Sequence, residues 1–142
     1  MMKKLVGMLL LSLVLMLAAG GNVFAADNGD ENMDAALKLA DTTNSKIYFL
    51  IEKAQETGDA LQENYLEDME TIEDEAEAAA RTEKYNQNLD LLIAVLDYTT
   101  RTLTYTTITA IEKLGVEAEV EWVEVQIADR TVMVDPVRVV GF

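Results

Sequence analysis

Leu114-Gly115-Val116-Glu117-Ala118-Glu119-Val120-Glu121-Trp122 is the stretch that decides the fold. Up to Leu114, apolar residues recur every three or four positions, the period of a helix packed on one face. Gly115 is a helix-stop residue, free to take the left-handed conformation that ends a last turn. Beyond it Val116, Ala118, Val120 and Trp122 alternate with glutamates, the period of a half-covered strand. The chain is therefore expected to be α+β, with helices first and strands last.

Downstream, a second apolar strand runs from about Arg130 to Val140, so a β-hairpin is expected over 116–140 with Ala128-Asp129 as its two-residue loop. That loop pairs Val125 with Val132, Val123 with Val134, Val120 with Val137, Ala118 with Val139 and Glu119 with Arg138. Apolar and opposite-charge cross-strand pairs are the stabilising kind. One more loop residue would set Val123 against Asp135 and Val120 against Arg138. The register has a consequence. Near the base the apolar face holds Val116, Ala118, Val120 and Trp122; near the tip it holds Val123, Val125 and Ile127. A pleated strand changes face only through a bulge or bend, unless its halves are covered from opposite sides. The expectation is opposite cover: Val120, Trp122 and Val137 pack on the helices, with Met133 and Phe142 helping to seal. Val123, Val125, Val132 and Val134 at the tip then meet a partner or a second copy of the chain.

Upstream, three helices are expected, about 33–57, 59–85 and 87–114, forming an antiparallel bundle. Thr57-Gly58 reads as a stop, and Asp59 with Gln62 as a capping box. Leu61, Tyr65, Met69, Ile72, Ala76 and Ala79 form the second seam, and Asn86-Gln87-Asn88 reads as a turn. The third seam runs Leu89, Leu92, Leu96, Thr99, Leu103, Ala110 and Leu114. The alternative is a two-helix antiparallel hairpin in which residues 59–114 form one very long helix. Seven of the eleven residues from Thr99 to Thr109 are threonine. Their seam favours helix, with hydroxyls bonding back to helix carbonyls; a flat strand face for ice or glycans is the other reading.

At the other end, Lys3-Lys4, an apolar run from Leu5 to Ala19 and Val23-Phe24-Ala25 have the layout of a secretory signal peptide. Residues 1–25 are expected to be removed between Ala25 and Ala26, 26–32 to be a flexible polar leader, and 33–142 to be one domain. The apolar run is short of the roughly 20 residues that span a bilayer. Secreted or extracytoplasmic placement follows as an expectation, and cysteine-free export fits a bacterium.

The chemistry on offer is narrow. The sequence has no His and no Cys, so the common proton shuttle, thiol nucleophile and zinc ligands are missing. Ser45 is the one serine after the leader and has no evident base. A non-catalytic protein is expected. Without Lys3 and Lys4, 9 bases face 26 acids, a net charge of −17, which disfavours nucleic acid and anionic lipid and favours basic partners or divalent cations. Glu63, Glu67, Glu70, Asp74 and Glu77, spaced 4-3-4-3, form an acidic stripe about 200° from the apolar seam. It reads as a solvated face or as a weak Ca2+ surface; no resident cofactor is expected. Asp27 to Asn32 lacks the glycine and glutamate positions of a calcium loop. The function expected is a secreted interaction module, self-associating through its hairpin. An acidic cation-binding surface protein is the alternative, and an apolar-ligand carrier or carboxylate hydrolase ranks third.

Overall fold

The computed structural model describes residues 29–142. The expected signal peptide and its cleavage point lie outside the described residues. Two long helices, α1 (Gly29–Thr71) and α2 (Glu75–Glu112), are followed by β1 (Glu117–Val120), β2 (Val123–Ile127), β3 (Arg130–Val134) and β4 (Val137–Gly141). The α+β class holds, but the helices number two rather than three. The long-helix alternative has the right count with its break in the wrong place. Gly29 to Asn32, expected in the flexible leader, belong to α1, and Asn32 donates to the Leu114 carbonyl at 3.0 Å.

Gly58 does not stop α1. It is buried within the helix, where an added Cβ would lie 2.8 Å from Ile127 Cγ2 and 3.3 Å from the Ala128 nitrogen. Glycine is there so that the hairpin tip can seat directly on the helix backbone. The real turn is Ile72-Glu73-Asp74. Asp74 is extended, with φ −81° and ψ 125°, and its Oδ1 accepts from the Glu77 amide at 2.8 Å. That caps α2, and Glu75 and Glu77 in its first turn suit the positive end of the helix dipole. The expected seam ran through this turn, but Ala76 and Ala79 are exposed. No turn occurs at 86–88; Asn86 instead accepts from Arg130 at 2.9 Å.

The helices run antiparallel. Tyr65 and Tyr85 stack with centroids 4.5 Å apart, and the Tyr65 hydroxyl meets that of Thr82 at 3.0 Å. The Thr99–Thr109 segment is helical, and Thr99 and Thr102 bond back to the Val95 and Tyr98 carbonyls at 2.8 and 2.7 Å. The expected strand alternative there falls away. α2 ends as anticipated: Gly115 takes φ +74°, Gly115 N donates to Glu112 O at 2.9 Å and Val116 N to Ile111 O at 3.4 Å, a Schellman arrangement.

The hairpin register is the one the sequence predicts, from Val123 opposite Val134 to Ile127 opposite Arg130 and from Ala118 opposite Val139 to Val120 opposite Val137. It slips only at Glu117, which pairs with Gly141. Ala128 takes φ 51° to close the loop. The ladder is interrupted into two separate sheets, β1 with β4 and β2 with β3.

The core comes in two parts. One, under the tip, gathers Ile47, Leu50, Leu61, Tyr85, Leu89, Leu92 and Leu96 with Ile127 and Val134. The other, under the base, holds Ala36, Ala40, Ile111, Leu114, Val116 and Val137. Between them lies a polar layer. Thr43 and Thr107 share a hydrogen bond at 2.6 Å, Asn44 bonds the backbone of Val137, and the Thr104 hydroxyl donates to the Asp135 carbonyl.

Candidate functional site

The interrupted ladder is where the chain does something a plain hairpin does not. Val120 and Val123 both turn toward the helices, although three positions apart should place them on opposite faces. The first strand absorbs the mismatch by sending Glu121 and Trp122 outward together, both exposed. The second strand absorbs it by sending Asp135 and Pro136 inward together, both buried. Pro136 lies in the gap between β3 and β4, where no ladder bond is asked of its nitrogen. Its carbonyl accepts from Glu121 N at 2.8 Å, a backbone bond that joins the strands across the break. The bend lets one helix pair cover both halves of the hairpin.

That corrects the expected interaction surface. Val134 is 1% exposed and part of the tip core, and Val125 and Val132 pack against that core. Val123 is half-buried. Val125, Val132 and Val134 therefore join the chain's own core under the tip. Replacing Val125 and Val132 with Thr should lower stability, by about 1–2 kcal/mol each for a hydroxyl put where packing was apolar. Chemical denaturation reads this directly; an unchanged midpoint would mean the tip is not seated.

The expected seal is corrected too. Trp122, Met133 and Phe142 are 56%, 46% and 68% exposed. Trp122 and Met133 lie on the outer face of the hairpin with Glu117, Glu119, Glu121 and Glu124, also exposed. Met133 faces Glu124 across the ladder, and Trp122 is two residues before Glu124 on the same side. The one arginine of this outer face, Arg138, is engaged by Glu119 in an ion pair. The face thus carries an exposed aromatic and an exposed thioether side chain among carboxylates.

On the inner side of the break, Asp135 is 1% exposed, and neither carboxylate oxygen has a hydrogen-bond partner among the described residues. Burial pushes its carboxyl above the usual range, and Asp97 pushes the same way. The Thr100 hydroxyl, its own backbone amide and Arg101 act in the opposite sense. Thr100 Oγ1 is held by the Asp97 carbonyl at a long 3.3 Å, loosely enough to turn toward the carboxyl.

The acidic stripe is not one face. Glu63, Glu67 and Glu70 lie exposed on the last turns of α1, Asp74 is spent on the cap, and Glu77 opens α2. The turn at 72–74 divides them, and among the described residues no group of three or more His, Cys, Asp or Glu is placed to hold a metal ion. At the tip, Tyr85 donates to Asp129 at 3.0 Å; burial first, and then this bond, push its hydroxyl up to about 12. Arg130 reaches Asp90 at 2.7 Å, so this polar group anchors the loop on α2. Leu91, Tyr98 and Tyr105 lie exposed on α2 at seven-residue spacing. Among the described residues, no helix is long and apolar enough to cross a membrane.

Asn44, Thr104 and Asp135 were missed by sequence reasoning. One signal existed: the first seam jumps from Ala40 to Ile47, and the positions it skips on that face are Thr43 and Asn44. A scan against protein-family models, a search of curated proteins and a search of solved structures each gave no match to the chain.

Proposed function

We propose that the chain is a non-catalytic, extracytoplasmic interaction module that docks a basic partner through the outer face of its hairpin. The observation that carries this is Trp122, 56% exposed, on the same face as Met133, 46% exposed, among glutamates. A large aromatic left in water amid like charges is the composition of an anchor with a charged rim. A partner of matching chemistry presents an apolar pocket edged by Lys or Arg, and a cation over the indole adds to the contact. The net charge of −15 for the whole chain steers such a partner from a distance. Two copies meeting through this face would set glutamates against glutamates, so a basic partner is favoured over self-association.

The test is titration with an alternating Lys-Leu peptide, followed by backbone amide shifts. Shifts are expected around Trp122, Glu124 and Met133, and Trp122→Ala should weaken binding about 30-fold, as for an anchor residue worth about 2 kcal/mol. The same variant should keep its unfolding free energy within about 0.5 kcal/mol, because the side chain lies on the surface. Shifts confined to the helices, or equal binding by an alternating Glu-Leu peptide, would sink the proposal. A stable dimer abolished by Trp122→Ala would replace it with self-association.

A further inference from the structure

A buried carboxylate with no well-formed hydrogen bond to either oxygen, helped only by a loosely held hydroxyl and its own backbone amide, is a poor resident for a domain interior. As an anion it loses its water and gains little in return. As a neutral acid it carries a proton of its own to donate, and the loosely held Thr100 hydroxyl is beside it. The face switch sets the position: with Val134 and Val137 both turned inward, the second strand takes up the mismatch by burying the two residues between them, where the first strand exposes Glu121 and Trp122. Asp135 is therefore held under the break by backbone bonds, through Thr104 to its carbonyl and through Asn44 to Val137 at 2.8 Å on each side, and not by its own side chain.

We propose that Asp135 is a proton-operated latch: neutral, it stays under the break and keeps both halves of the hairpin seated; ionised, it leaves the interior and the 134–137 corner opens with it. Opening is transmitted across the break because Glu121 N is bonded to the Pro136 carbonyl and Trp122 occupies the register position opposite Asp135. The charged groups that bear on Asp135 are both on α2, Asp97 and Arg101, and these pair with each other at 2.9 Å. From α1 the layer presents the neutral Thr43 and Asn44, and from the hairpin Val134, Pro136 and Val137; Glu121 across the break points to solvent. The sign follows from burial. A carboxyl whose folded value lies above its unfolded one contributes stability that is full below the ordinary range near 4 and is lost as pH rises through the folded value. The latch is thus closed in acid and opens as pH rises.

Trp122 is the sole tryptophan of the chain, so its fluorescence reports on the break without a label. The experiment records Trp122 emission, and the protection factors of the Glu121 and Val137 amides, from about pH 4 to pH 8, a window that starts at the ordinary carboxylate range. Parent protein and Asp135→Asn are compared. The parent should show a step absent from the variant, with both amides losing protection on the alkaline side; the variant should stay protected throughout. Superimposable profiles would overturn the latch. Asp97→Asn guards against a variant that does not fold. Removing that charge should move the parent's step to lower pH, and an unmoved step would also overturn the latch. No partner is used, so this result is separate from that of the peptide titration.

Discussion

Gly58→Val is expected to destabilise the domain by about 3 kcal/mol or more. An added Cβ alone would approach Ile127 Cγ2 to 2.8 Å and the Ala128 nitrogen to 3.3 Å. The first is a methyl on a branched carbon at a fully buried residue, and the second is backbone, so neither yields easily. Overpacking of this kind typically costs 1–3 kcal/mol for small additions, and Val brings two further methyls. Gly58→Ala is the informative companion. It gains about 1 kcal/mol of helix propensity against the same 2.8 Å contact, so it should be near neutral or mildly destabilised. Denaturant unfolding followed by circular dichroism separates the two. A Val variant as stable as the parent would show that the tip does not rest on α1.

The second large effect is expected at Asn44. Its amide donates to the Val137 carbonyl and accepts from the Val137 amide, both at 2.8 Å, offering β4 the donor and acceptor a neighbouring strand would offer. Asn44→Ala leaves both groups of a buried residue without partners. At roughly 1–3 kcal/mol for each orphaned group, the variant should lose about 2–4 kcal/mol. Asn44→Asp keeps the acceptor but sets a carboxylate against the Val137 carbonyl, and it should recover little. If Asn44→Ala instead unfolds at the parent's midpoint, water replaces the amide without penalty and the polar layer is not a structural element.

What could be read from the sequence was what local periodicity encodes. The strand register was legible because a two-residue loop fixes every facing pair, and one shift put Val against Asp or Arg. The end of α2 was legible because Gly115 is needed for a left-handed turn. The helix count was not. Gly58 resembles a stop, and its real reason, the closeness of Ile127, lies about 70 residues away. Conversely, the true turn hid behind the chance continuation of the spacing through Met69, Ile72, Ala76 and Ala79. For the candidate site, the face switch at Trp122-Val123 was visible, but its resolution was not. Cover from opposite sides and a two-residue bend leave the same mark on the pattern. Only the placement of Asp135 and Pro136 inward distinguishes them, which is why Trp122 exchanges its expected role with the tip valines.

The polar layer has a bearing on alignment of the helices along their length. α1 and α2 each carry a long apolar stripe, and such stripes pack almost as well when one helix slides past the other by a turn of 5.4 Å. The Thr43–Thr107 bond at 2.6 Å penalises that slip. Moved by four residues either way, Thr43 would face Leu103 or Ile111, and two buried hydroxyls would lose each other. A single polar pair inside an apolar seam acts as a ruler, selecting one alignment at some expense in total stability. The helix pair therefore carries its own measure of length, and the hairpin is presented at one fixed height along it.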